Sequence, residues 1–274
     1  MPIYTAILAG TGAIASGLVV PISHIGAPGD EWGWRLALLT TGILIVPGIV
    51  MWFIATRRTG SDRSDAASAQ PRVRGIWRDP IAWLVALYMG FQGAAFYMLV
   101  TWLSPLSISI GTSEVQAGVE VMIMQLVALT GSLSVPFLLR GKGRRRLPAI
   151  IPIPGLVGIV GLMLWPQAAW LWAAMFGYAS GAMFAISMWL MADRARGAGA
   201  ATALSGMAQS IGYLIAGLGP IAFGALHTWT GGWTLPLVLD LVCLVALIII
   251  GILLREQRYA LDRPGAVAES QPQA

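Results

Sequence analysis

The sequence predicts an all-α, polytopic membrane protein, a bundle of about eight transmembrane helices. Three observations carry the prediction: the composition, the length of the apolar runs and the placement of the arginines. Of 274 residues, 57% are hydrophobic and 11% charged, which leaves too little polar surface to coat a water-soluble globule of this size. Stretches such as Ile81 to Leu103 and Leu235 to Leu254 are apolar on every side, whereas a core helix is apolar along one stripe. In hydrocarbon each backbone N–H and C=O must be satisfied internally, and runs near twenty residues select helices over the shorter strands of a barrel.

In order, the spans fall near Ile3 to Ile22, Trp34 to Ile54, Ile81 to Leu103, Ala117 to Leu139, Leu147 to Trp165, Ala168 to Met191, Ala201 to Ala225 and Leu235 to Leu254. Charge placement tests this series independently, because cytoplasmic loops accumulate Lys and Arg. Alternate loops carry Arg57, Arg58, Arg63, Arg72, Arg74 and Arg78; then Arg140, Lys142, Arg144, Arg145 and Arg146; then Arg194 and Arg196; the tail holds Arg255, Arg258 and Arg263. Arg35 alone lies on the other side, next to Asp30 and Glu31. One span missed or invented would move every later loop across the membrane and destroy the segregation. Both termini are therefore expected in the cytoplasm, with the protein in the cell membrane. The net charge of +5 reflects orientation and attraction to anionic lipid and implies no nucleic-acid partner.

The hydrophilic stretch from Thr56 to Pro80 divides the chain: Gly, Ser, Ala and Pro among six arginines read as a flexible linker. The expected divisions are 1–54 with two spans, 55–80 as linker, 81–254 with six spans, and 255–274 as a disordered cytoplasmic tail. Met1-Pro-Ile-Tyr4 has no positive n-region and the first apolar run has no small-residue cleavage site, so the start reads as the middle of a longer protein. Ala9, Ala13 and Gly17, and again Gly212 and Ala216, recur at four-residue spacing and would let backbones approach closely. Gly10-Thr-Gly12 lies inside a span, without the strand and turn that a dinucleotide fingerprint needs.

Met89-Gly-Phe-Gln-Gly-Ala-Ala-Phe-Tyr-Met-Leu-Val-Thr-Trp-Leu-Ser-Pro105 in the third span and Leu204-Ser-Gly-Met-Ala-Gln-Ser-Ile-Gly-Tyr-Leu-Ile-Ala-Gly-Leu-Gly-Pro220 in the seventh resemble helices seven and eleven of the cyanate and 2-nitroimidazole transporters of the major facilitator superfamily. The resemblance covers nearly the whole chain. It implies the superfamily fold of two six-helix halves, lacking here the first four helices: 1–54 would be the last two helices of the N-terminal bundle and 81–254 the whole C-terminal one. Gly141-Lys-Gly-Arg-Arg-Arg146 resembles the weaker of the superfamily's two arginine loops, without the aspartate. The implied function is secondary active transport of a small solute by alternating access between halves. The alternative is a non-transporting remnant of a truncated transporter gene.

Candidate contacts for the solute follow from the cost of polar side chains in lipid. Gln92, Gln125 and Gln209 lie mid-span, and an amide offers donor and acceptor without fixing the charge of its ligand; interhelical bonding that only holds the bundle together is the other reading. Tyr97 offers a ring and a hydroxyl to a planar solute, and Trp102 does the same unless it belongs to the outer aromatic belt with Trp34, Trp83, Trp165 and Trp233. Glu120 and Asp240 sit a few residues into their spans and read as water-reached interfacial groups, while His24 and His227 fall in outer loops. No central carboxylate marks a coupling ion, for which a proton is the candidate. The lone Cys243 and scattered acidic residues suggest no metal, cofactor or redox chemistry, and no nucleophile has a base within reach, so no enzyme is expected. The sequence assigns no oligomeric state.

The topology is checked by labelling. Single cysteines at Gly111 and Gly231 should react with an impermeant thiol reagent from outside, and those at Ser64 and Gly143 only after the membrane is opened. Outside labelling at Gly143 would overturn the helix count.

Overall fold

The computed structural model describes residues 32–43, 75–141, 143–256 and 258–261, with helical residues also at 22, 49, 50 and 53. Among these the structure is helical without strands, and six helices are long and apolar enough to cross a membrane. The helices are α1 (Trp32–Ile43), α2 (Pro80–Ser109), α3 (Glu114–Leu138), α4 (Leu147–Ile150), α5 (Pro152–Leu164), α6 (Ala169–Asp193), α7 (Ala198–Thr230) and α8 (Thr234–Leu253). They answer to the second to eighth expected spans, α4 and α5 together forming the fifth. The first span, most of the linker and the end of the tail lie outside the described residues, as do Gly10, Gly12 and the Ala9, Ala13, Gly17 series. Arg35 lies in α1 with its guanidinium 5.5 Å over the Trp32 ring; Asp30 and Glu31 are outside the described residues.

Local signals start the helices. Asp79 caps α2 by accepting from Ala82 N–H at 2.9 Å, with Pro80 at the first position, where a missing N–H costs nothing. Ser113 caps α3 through Gln116 N–H. The break between α4 and α5 follows from Pro152, which has no N–H for the Pro148 carbonyl four residues back. The Tyr88 hydroxyl of α2 donates to that carbonyl at 3.0 Å. A buried phenol thus replaces the bond that proline removed, and ties α4 to α2.

Two seams dominate the packing, α2 against α7 and α3 against α6. A Cβ on Gly177 or Gly181 of α6 would collide with the carbonyl oxygens of Met124 or Ala128 on α3, and one on Gly131 with that of Tyr178. Backbone therefore lies on backbone, the arrangement that small residues allow where lipid removes any hydrophobic drive for association. Across the other seam Gly212 meets Met89, Ala216 meets Gly93 and Gly219 meets Ala94, as the Gly212 and Ala216 spacing anticipates. The helices of this pair run parallel.

Among the described residues the turns that carry Arg78, Arg140, Arg144 to Arg146, Arg194, Arg196, Arg255 and Arg258 gather at one end of the bundle, and there the first residues of the expected tail and the last of the expected linker are held in place. Arg194, buried after α6, donates Nη2 to the Leu254 carbonyl at 2.5 Å and Nη1 to those of Glu256 and Arg258 at 2.6 and 3.1 Å. Ala260 N–H returns a bond to the Arg194 carbonyl at 2.8 Å, and Arg196 lies 4.3 Å over the Tyr259 ring. Leu261 N–H donates to Asp79 Oδ2 at 2.6 Å. The planar fork of one guanidinium gathers the Leu254 carbonyl at the end of α8 and two carbonyls beyond it, so residues 254–256 and 258–261 form a strap from the α6–α7 turn to the start of α2. Arg194→Ala should lower unfolding stability by about 2–3 kcal/mol, read as a thermal shift in detergent, and expose the tail to carboxypeptidase; Arg194→Lys, with charge but no fork, should recover less than half.

Candidate functional site

The structure places a cleft of about 490 Å³ between α6 and α7 near their arginine-bearing ends. Met188, Met191 and Ala192 line one wall, and Ala201, Thr202, Ser205, Gly206 and Gln209 the other. Two hydroxyls and one amide face methionine and alanine with no ionised side chain among them, a surface suited to a small polar solute. Methionine adapts its shape without demanding a partner.

The unburied side of α7 extends this chemistry. Thr202, Gly206, Gln209, Tyr213 and Gly217 are exposed at spacings of four, three, four and four residues, a single helical stripe. Leu214, Leu218 and Ile221 lie beside it as a greasier strip. α7 is the least buried of the six spans, at 28% against 39–61% for the others.

Of the residues singled out from sequence, Gln209 lies in the cleft, and Gln92, Gln125, Tyr97 and Trp102 do not. Gln92 is buried, donating its amide to the Met89 carbonyl at 3.2 Å and to the Met89 sulfur at 3.3 Å, both within its own helix. Gln125 is buried on α3. Tyr97 is 40% exposed, edge-on to Phe96. The seam contacts align Met89 with Gly212 and Ala94 with Gly219, which sets Tyr97 roughly 16 Å further along the axis than Gln209 at 1.5 Å per residue. Tyr97 and Gln209 thus occupy different levels of the α2–α7 pair, with Gln92 between them.

Trp102 is neither a lipid-facing belt residue nor part of the cleft. Its ring lies over Gly224, its Nε1 donates to the Pro220 carbonyl at 3.0 Å, and it packs on Phe223, His227 and Trp233. Trp233 Nε1 in turn donates to Ser109 Oγ at 2.8 Å. His227, expected in an outer loop, is inside α7 and stacks on Trp233 at 3.8 Å. This aromatic cluster joins the ends of α2, α7 and α8 that lie away from the arginines.

The two acidic residues expected at water-reached positions are also corrected. Glu120 is 3% exposed and accepts from Ser107 Oγ of α2 at 2.5 Å. Asp240 is fully buried, and neither of its oxygens has a hydrogen-bond partner among the described residues. Position along the helix suggests an interface, but both side chains turn inward against neighbouring helices. No group of three or more His, Cys, Asp or Glu side chains is placed to hold a metal among the described residues.

Residues 2–217 match the family model for the Major Facilitator Superfamily. The chain belongs to the major facilitator superfamily. Over 235 residues it is 35% identical to the 2-nitroimidazole transporter of Escherichia coli (strain K12), a match covering 85% of this chain and 58% of that protein. It is 32% identical over 250 residues to the uncharacterized transporter YycB of Bacillus subtilis (strain 168), covering 89% and 60%. With the cyanate transport protein CynX of E. coli K12 it shares 31% identity over 172 residues, 62% of this chain and 45% of that protein. The chain thus spans at most 60% of the length of these relatives.

As a multi-pass membrane protein of this superfamily, it carries residues in and beside the cleft that sequence reasoning does not single out: Thr202, Ser205 and Tyr213. Their signal is their helical spacing from Gln209. Met188 lines the cleft as well.

Asp240 gives a clean test of burial without a partner. Leucine keeps the branched outline of aspartate without a polar atom, and an unpaired buried polar group costs about 1–3 kcal/mol. Asp240→Leu should therefore raise the thermal unfolding midpoint, by an amount corresponding to about that energy. A fall would mean that a polar partner holds the carboxyl in the working protein.

Proposed function

We propose that this chain works in a secondary transporter of a small organic solute, of the cyanate and nitroimidazole type, with 81–254 as the C-terminal bundle and 1–54 as the last two helices of the N-terminal one. Alternating access would expose the unburied stripe of α7 to each side of the membrane in turn. The observation that carries this reading is Gln209 in the α6–α7 cleft, on the least buried of the six described spans. Gln209 would offer donor and acceptor to the solute, with Thr202 and Ser205 beside it, and Tyr97 would serve at a deeper level of the α2–α7 pair. The names of the relatives support the solute class, and the gathering of arginines at one end supports a cytoplasmic position for both termini.

The second reading, a remnant that carries no solute alone, is favoured by the 58% coverage of the 2-nitroimidazole transporter. Proteoliposome uptake of labelled cyanate and nitroimidazoles separates the two, measured for the 274-residue chain and for a form extended by any upstream in-frame helices. Saturable uptake by the shorter chain would defeat the remnant reading. In whichever form transports, Gln209→Ala should lower uptake at limiting solute about tenfold, from the loss of roughly 1.4 kcal/mol of hydrogen bonding. Protein level and melting temperature should stay near those of the parent. Equal loss of folding would assign Gln209 to structure instead.

A further inference from the structure

Two buried carboxyls face opposite circumstances. Asp240 has no partner for either oxygen among the described residues, whereas Glu120 of α3 meets the Ser107 hydroxyl of α2 at 2.5 Å. A hydroxyl is donor and acceptor on one rotor. Ser107 donates to an ionised Glu120, and by turning its hydrogen away accepts the proton of a neutral one. The pair is thus satisfied in both protonation states, as a group that titrates during work requires and a merely tolerated carboxyl does not.

No charge nearby fixes the state of Glu120. α3 packs on α2 and α6. The outer half of α2, residues 95–109, carries Tyr97 as its single titratable side chain, exposed and bonded neither to Glu120 nor to Ser107. The outer half of α6, residues 169–181, carries Tyr178, whose hydroxyl meets Ser134 at 3.0 Å, well inward of Glu120. On α3 itself the other acid is Glu114, exposed in the first turn. The path outward is short: Glu120 stands six residues past Glu114, about 9 Å at 1.5 Å per residue.

We propose that Glu120 with Ser107 is a proton-binding site at the outer end of the α2–α3 seam, and that its proton closes this seam against water. Ionised, the carboxylate draws water between the helix ends. Neutral, it shares its proton with Ser107 and the ends close. The proton comes from, and returns to, bulk water at the outer face. Coupling of this event to solute movement rests on the transporter reading; the proton site does not.

The test uses the 274-residue chain in lipid nanodiscs. Infrared difference spectra taken across a titration from acid to alkaline pH should show a carboxyl C=O band lost on raising pH, absent in Glu120→Gln and shifted in Ser107→Ala, but retained in Asp240→Asn. A cysteine at Ala117, buried one turn before Glu120 on α3, reports the seam. The ratio of its labelling rate in the parent to that in Glu120→Gln should rise about tenfold over the same pH range. A band unaffected by Glu120→Gln, or a ratio that stays flat, would overturn the proposal; if Glu120→Gln does not fold, Ser107→Ala supplies the same comparison. If band and labelling respond as expected but uptake by every form tested is nil, the proton site stands and the transport reading is what fails.

Discussion

Helices in lipid gain nothing from hiding apolar surface from one another, so this bundle depends on how closely its backbones approach. At Gly177 and Gly181 the limit is reached, since any side chain there would strike a carbonyl of α3. That contact fixes α6, and α6 forms one wall of the cleft. The α2–α7 seam works the same way through Gly212, Ala216 and Gly219 and sets the level of every polar group on α7. A bulky substitution at either seam would displace the cleft before it touched a cleft residue.

Each polar group in the membrane region has a distinguishable fate, which separates structural groups from working ones. Tyr88 repairs the carbonyl orphaned by Pro152, Trp102 and Trp233 fasten the outer helix ends, and Gln92 folds back on its own helix. These are consumed by the fold. Gln209 remains on an unburied face, Thr202 beside it keeps the acceptor side of a hydroxyl that donates to the Ala198 carbonyl at 3.0 Å, and Glu120 has a partner that can donate or accept. Polarity in mid-span marks cost; what distinguishes a working group is whether the fold has already used its hydrogen bonds.

Much of this architecture is legible in the sequence because the membrane imposes length. The third to eighth spans appear at their expected places, with α2 and α7 running longer, since the helical backbone continues into the interface where the hydropathy signal stops. The superfamily is legible from residues 89–105 and 204–220, and the α2–α7 seam from the spacing of Gly212 and Ala216. Orientation of side chains is not. For Glu120 and Asp240 the sequence supplies depth alone, yet rotation about the helix axis decides burial, and hydropathy averages over rotation. His227 is misplaced by sequence reasoning because a histidine and two threonines look like a loop, while α7 continues through them to the left-handed Gly231. Arg194 looks like another positive-inside arginine. Its role depends on carbonyls 60 to 64 residues away, which no local pattern encodes.

Both ends of the bundle are tied, which constrains where movement can occur. At the arginine end the strap joins α6, α8 and the start of α2; at the outer end Trp102, His227 and Trp233 join α2, α7 and α8. Hinging within this set would break several buried bonds at once, and the glycine seams between the ends leave no slack for sliding. The unburied stripe of α7 lies outside both of these clusters. In the proposed transporter, these ties favour displacement of the bundle as a unit, with the cleft carried along as one wall. The proposed proton site lies at the α2–α3 seam, which the aromatic cluster does not span, so opening or closing there would leave both ties intact.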